Sequence, residues 1–271
     1  MKIVNLMEDT PGKRGCVHEH GLSFYIETMK HKLLLDAGAS DKLQQNAKLL
    51  GIDLTQVDTL VLSHGHYDHS GGILGLATSN PHMHIYMQRS AGGDYYHGER
   101  YIGIDKRILE LPKVVLVDGD VRLDEELSLF SKIKGRRLWP KGNKVLQCRQ
   151  GDWSVQDEFE HEQCLVVEAE GKRILLSGCA HNGILNILDR FKMLYQSEPD
   201  AVISGFHMMQ QTAYTDEEIQ NIRETAEELK GMSTRFFTGH CTGVPAYEIM
   251  KEIMGEQLQY VHCGDEIDLG E

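Results

Sequence analysis

The segment Ser63-His64-Gly65-His66-Tyr67-Asp68-His69-Ser70-Gly71-Gly72 places four metal-ligand side chains within six positions: His64, His66, Asp68 and His69. In extended backbone, residues two apart project to the same side, so His64 and His66 can share one ion. Asp68 and His69 fall at the following turn and can face a second. Imidazole combined with carboxylate suits zinc, iron or manganese rather than calcium. The plain alternative is a polar surface turn rich in histidine, but four ligand types at this spacing, at the end of a strand, outweigh it. Gly65 and the pair Gly71-Gly72 relieve the crowding of so tight a loop. The remaining ligands must come from elsewhere, and His161, His181, His207 and His240 each stand near the end of an expected strand.

The elements that would position these groups follow from hydrophobic patterning. Residues 58–63 read as a buried strand running into His64, and residues 71–77 open a helix. Earlier, 22–27 and 32–35 are strand-type runs, the second ending in Asp36-Ala37-Gly38. Residues 42–50 have helical spacing and stop at Gly51. Residues 84–88, 114–117 and 127–133 read as further strands. The polar, aromatic stretch 89–104, with Tyr95-Tyr96-His97, lacks the apolar mass for a core of its own. We therefore expect a lid or insertion around 89–144 in one domain spanning 1–271.

The second half alternates strands at 164–168, 173–177, 201–204, 235–238 and 258–262 with helices at 185–195, 215–230 and 244–254. Thr215-x-x-Glu218 is a capping box, and Pro245 sits in a first helical turn. The pattern predicts an α/β (α+β) fold with sheets sandwiched between helices. Trp139 and Trp153 flank a Gly- and Lys-rich stretch, with core packing or a partner surface as the expected role.

The formal net charge of −13 argues against a nucleic-acid partner, which needs a basic face. The densest basic cluster, 132–137, is short. The six cysteines (Cys16, Cys148, Cys164, Cys179, Cys241 and Cys263) form no C-x-x-C pair, which argues against a zinc ribbon or a thioredoxin-type motif. The first residues do not resemble a signal peptide, and no apolar run reaches the roughly 20 residues of a membrane span. We expect a soluble cytoplasmic protein with no membrane partner, acting on a small, anionic molecule; the oligomeric state is left open.

The H-x-H-x-D-H pattern of His64, His66, Asp68 and His69 resembles that of the metallo-β-lactamase superfamily. The resemblance runs along nearly the whole chain. It implies an αββα sandwich with metals at one edge of two mixed sheets. It also implies that Asp36, ending the strand Leu33-Leu34-Leu35, supports the site from behind its ligands. His161 matches the position of the superfamily's third histidine, and His240 its final one. The usual bridging aspartate falls on Cys179, a departure, since no carboxylate stands there. Either Cys179 or His181 replaces it, or the site holds one metal well and the second poorly; we favour His181 as a ligand and leave Cys179 as a supporting thiol.

The runs around His20, Cys179-Ala180-His181, Phe206-His207 and His240-Cys241 resemble, within the superfamily, a subgroup typified by an archaeal dihydropterin ribofuranosylaminobenzene phosphate synthase. On this basis we expect a hydrolase with two zinc ions, or Mn2+ or Fe2+, attacking a small phosphorylated or ester-type metabolite with a metal-bound hydroxide. Asp68 and His207 are the expected catalytic groups. The metal ligands would be drawn from His64, His66, Asp68, His69, His161, His181 and His240. A pterin-diphosphate transferase and a metal-containing ligand sensor without catalysis are the alternatives.

Overall fold

A computed structural model describes residues 1–12 and 15–270. The first sheet contains β1 (Lys2–Met7), β2 (Ser23–Glu27), β3 (Lys32–Leu35), β4 (Thr59–Val61), β5 (His84–Gln88) and β8 (Val114–Val117), in that order. Strands β1 to β3 are antiparallel, whereas β3, β4, β5 and β8 run parallel. A four-stranded sheet is made from β6 (Tyr95–His97), β7 (Arg100–Tyr101), β11 (Leu146–Gln150) and β12 (Trp153–Gln156). The remaining sheet runs β17-β16-β15-β14-β13-β10-β9. Its members are β9 (Val121–Arg122), β10 (Leu127–Phe130), β13 (Cys164–Ala169), β14 (Lys172–Leu176), β15 (Ala201–Ile203), β16 (Arg235–Thr238) and β17 (Leu258–Tyr260). There β14 to β17 are parallel.

Alternation along the strands builds the layers, because successive side chains point to opposite faces. Leu33 and Leu35 face inward, against Leu165, Val167, Ile174 and Leu176 of the opposing sheet. Leu34 points outward, to Leu43 and Ala47 of α1 (Lys42–Leu49) and Ile73 and Leu76 of α3 (Ile73–Ser79). A short α2 (Tyr67–Ser70) precedes α3. On the other side, Val166, Leu175, Val202 and Phe236 pack on α4 (Ile184–Tyr195), α5 (Asp216–Lys230) and α6 (Val244–Met254). The result is the expected αββα order. Helix α5 carries the capping box on Thr215 and Glu218, and Pro245 lies in the first turn of α6. No described helix is long and apolar enough to cross a membrane.

The expected insertion is divided. Strand β8 completes the first sheet, and β9 and β10 join the second. Only β6 and β7 stay apart, and they pair with β11 and β12, beyond residue 144. The separate layer is therefore a small sheet gathered from two stretches of chain. Apolar runs such as Val114-Val115-Leu116-Val117 marked strands correctly but could not say which sheet they would join.

At the edge away from the histidine cluster, the β2–β3 turn is clipped to both sheets. His31 Nδ1 lies 3.0 Å from Asp58 Oδ1, and its Nε2 lies 2.6 Å from Asp124 Oδ2. Burial opposes protonation of His31, but the two carboxylates outweigh it and raise its pKa. A raised folded pKa stabilises fully below the unfolded value near 6.5 and is lost as pH rises through the folded value. Because Asp58 is well exposed, water screens the pair, and His31→Gln should cost only about 0.5–1 kcal/mol at pH 5.5. Urea unfolding should show that difference at pH 5.5 and its disappearance by pH 9; an equal cost at both would refute the charged clip.

Candidate metal centre

Parallel strands carry their C-terminal ends to one edge, and the site is assembled there. Asp36 follows β3, His64 and His66 follow β4, and Asp68 and His69 lie on α2. His181, His207 and His240 follow β14, β15 and β16 respectively. The registers Leu35↔Val61 and Leu176↔Ile203↔Phe237 align these ends.

Four imidazoles are oriented by acceptors behind them. His69 Nδ1 donates to Asp36 Oδ2 at 2.6 Å. The Ser63 hydroxyl donates to the same oxygen at 2.7 Å, so its own oxygen is left to accept from His64 Nδ1 at 2.8 Å. His181 Nδ1 donates to Asn143 Oδ1 at 2.9 Å, and Asn143 Nδ2 is pinned on the carbonyl of His181 at 2.7 Å. His240 Nδ1 donates to Asp9 Oδ1 at 2.5 Å. Each ring proton is thereby fixed on Nδ1, and each Nε2 turns its lone pair inward.

Those lone pairs face one another. His64 Nε2 and His181 Nε2 are 3.3 Å apart, and His69 Nε2 and His240 Nε2 are 3.2 Å apart. His66 Nε2 is buried with no hydrogen-bonding partner. Buried acceptors aimed at each other repel unless a cation lies between them, which is the arrangement a metal site requires. Burial, and then the neighbouring imidazoles, push His64 and His181 well below the ordinary histidine value, and His66 to about 3. All three are thus neutral and able to ligate.

Cys179 Sγ lies 3.2 Å from His69 Nε2. Its Sγ lies within 4.8 Å of ligand atoms of His64 and His181, and also within 4.8 Å of ligand atoms of His69 and His240. Expected as a supporting thiol, Cys179 instead occupies the position between the two histidine groups. Burial pushes its thiol pKa up, so ionisation there needs a bound cation. Asp68 Oδ2 is 3.5 Å from His69 Nε2 and 3.4 Å from His240 Nε2. Burial alone would raise Asp68; the facing histidines hold it well below the usual carboxylate range.

His161 departs from the expected ligand role. Its Nδ1 accepts the Gly65 N–H at 2.9 Å, and its Nε2 donates to Asp157 at 3.0 Å. With both nitrogens committed, it braces the backbone between His64 and His66. Spacing could place His161 near the site but could not tell which way its lone pair would be used. His207, with φ of +49°, has a buried and unpartnered Nδ1, and its ring lies 4.1 Å from that of His181.

Asp9, Ser63, Asn143 and Glu162 carry no motif, and no sequence signal singles them out. Glu162 accepts the N–H groups of His181 and Asn182 at 2.6 and 2.9 Å. Gly178 also has a role: a Cβ there would sit 2.1 Å from Ser63 Oγ and break the Asp36–Ser63–His64 chain. A Cβ at Gly71 would meet the Ala39 carbonyl oxygen at 2.0 Å.

A cavity of about 280 Å3 opens onto these groups. The small sheet and its neighbours supply Tyr67, His97, Arg100 and Leu146 to its walls. Arg100 donates to Tyr67 Oη at 2.9 Å and lies 5.0 Å above its ring. The site is therefore a cluster of imidazoles, those of His64, His66 and His181 neutral, with one guanidinium at the mouth.

Comparison with known proteins agrees with this fold. The family model for the metallo-beta-lactamase superfamily matches residues 18–137. The chain is 28% identical over 295 residues to 7,8-dihydropterin-6-methyl-4-(beta-D-ribofuranosyl)-aminobenzene-5'-phosphate synthase of Methanocaldococcus jannaschii, covering 97% of this chain and 95% of that protein. The crystal structure of Tm1679, described as a metal-dependent hydrolase of the beta-lactamase superfamily, superposes with a TM-score of 0.83 at 29% identity, covering 100% of both chains. Zn(2+)-bound PqqB from Methylobacterium extorquens shares the fold, at a TM-score of 0.60 and 15% identity over 99% of this chain and 100% of that one.

Proposed function

The chain belongs to the metallo-beta-lactamase superfamily, and from that premise we propose that it is a metal-dependent hydrolase of a small anionic metabolite, phosphorylated or ester-type. The observation that carries the reading is the pair of facing Nε2 contacts at 3.3 and 3.2 Å, with every Nδ1 proton tied behind them. His64, His66 and His181 would hold one ion; Asp68, His69 and His240 would hold the other, with Cys179 between. A thiolate in the set favours zinc over manganese or iron(II). When bound, the ions would lower the pKa of a coordinated water and polarise an oxygen of the substrate.

The chain's own residues do the rest. Arg100, steadied on Tyr67, receives the anionic end of the substrate at the mouth. Asp68 takes the proton of the attacking water on its carboxylate. His207, from its unpartnered Nδ1, returns a proton to the leaving group. Cys148, Cys164, Cys179, Cys241 and Cys263 are free thiols, which supports a reducing, cytoplasmic setting.

The test is a panel of phosphomonoesters, phosphodiesters, carboxylic esters and lactams, offered to zinc-loaded and chelator-treated protein. Chelator-sensitive hydrolysis of one class is expected. Two bound ions with no turnover of any class would favour the sensor. His207→Ala should lower kcat by about 10²–10⁴-fold with metal content unchanged. The loss should shrink for substrates whose leaving group needs no proton, such as nitrophenyl esters. An equal loss on both kinds would remove the proton-donor role.

A second reading is supported by the near full-length similarity to the archaeal synthase. On that reading the chain joins a pterin diphosphate to an aromatic amine with release of diphosphate. Diphosphate release that requires the amine would establish it over hydrolysis.

A further inference from the structure

The segment after β1 turns back over the site and brings a carboxylate that touches two histidines. Asp9 Oδ1 accepts from His240 Nδ1 at 2.5 Å, and Asp9 Oδ2 accepts from His20 Nδ1 at 2.7 Å. The backbone there is anchored by the buried Glu8, which accepts the His240 N–H and the Tyr260 hydroxyl, each at 3.2 Å. His20 then presents Nε2 to Asp68 Oδ2 at 3.5 Å. The same oxygen lies 3.5 Å from His69 Nε2 and 3.4 Å from His240 Nε2. Three imidazole nitrogens thus surround one carboxylate oxygen, and all three rings are tied through Nδ1 to aspartates. With a proton on Nδ1 shared with Asp9, His20 turns Nε2 towards Asp68, where a cation held between them would satisfy both.

We propose that His20 is a further ligand of the cation held by Asp68, His69 and His240, and that Asp9 is the positioning residue aiming both His20 and His240. The inference rests on the metal-centre reading of the site. His20 is the half-exposed member of the set and lies in the cavity wall. It therefore marks the side of that cation that faces the entering substrate.

The test uses the full chain, stripped of metal and titrated with zinc against a chromogenic chelator, then with cobalt(II). The wild type should take up two ions. His20→Ala and His20→Gln should keep the tighter ion and bind the other about 10–100-fold more weakly. Asp9→Asn should weaken that same ion by at least as much, since it releases both rings. The visible cobalt(II) spectrum of the second ion should shift in all three variants, which a merely structural role would not produce. The retained first ion reports that each variant is folded. Unchanged affinity in the His20 variants would overturn the proposal. So would tighter binding, which would identify His20 as an imidazolium paired with Asp68. Failure of the wild type to bind any ion would instead overturn the metal-centre reading itself.

Discussion

His66→Ala should abolish turnover, by more than about 10³-fold, or roughly 4 kcal/mol of barrier. It should also reduce the metal content from two ions towards one. The reason lies in what His66 does not do. Its Nε2 is buried and bonds to nothing in the fold. Removing it therefore breaks no hydrogen bond through that atom and removes a buried acceptor, which is itself a cost to the metal-free chain. The metal-free variant should fold, with the same far-ultraviolet circular dichroism as its parent. Elemental analysis beside a turnover assay separates the cases. Unchanged metal content with lost turnover would make His66 a substrate contact, and unchanged turnover would end the metal-centre account.

Asp36→Asn should weaken metal binding by about 10–100-fold without touching a ligand. Asp36 is fully buried, with φ of +61°, a conformation Asp and Asn both tolerate. Its two oxygens accept the Ser63 N–H, the Ser63 hydroxyl and the His69 Nδ1–H. An amide keeps the shape but replaces one acceptor by a donor. If the NH2 faces His69, that ring must move its proton to Nε2, where the metal would bind. If it faces Ser63, a buried N–H meets a backbone N–H instead. Either way a buried polar group is left unsatisfied, at about 1–3 kcal/mol. The metal-free thermal midpoint should fall, and zinc affinity by chelator competition should fall with it. A variant that lost stability but kept full affinity would show that Asp36 only packs.

How much of this the sequence disclosed depends on how local each signal is. His64, His66, Asp68 and His69 are adjacent in the chain, and one strand-turn-helix unit delivers all four. The strands were legible because Leu33, Leu34 and Leu35 are apolar on both faces, as a strand between two layers must be. The ends were less legible. Strands β4 and β15 are shorter than the apolar runs suggested, because their last residues leave the ladder to reach the site. Cys179 and His181 stand as alternatives in the sequence, and the fold brings both to the same cluster. Asp9 and His240 are 231 positions apart, and nothing in either neighbourhood announces the pair. His161 shows the converse: a well-spaced histidine whose nitrogens are consumed by Gly65 and Asp157.

The small sheet of β6, β7, β11 and β12 stands apart from the strands that carry the candidate ligands. The walls it gives the cavity, at His97, Arg100 and Leu146, come from segments that hold none of the candidate metal ligands. Selection can therefore redraw the outline of the mouth, residue by residue, while the chemistry beneath is inherited intact. In a lineage of such proteins, preference for one compound over another would drift in that layer, and reactivity would stay with the strand ends.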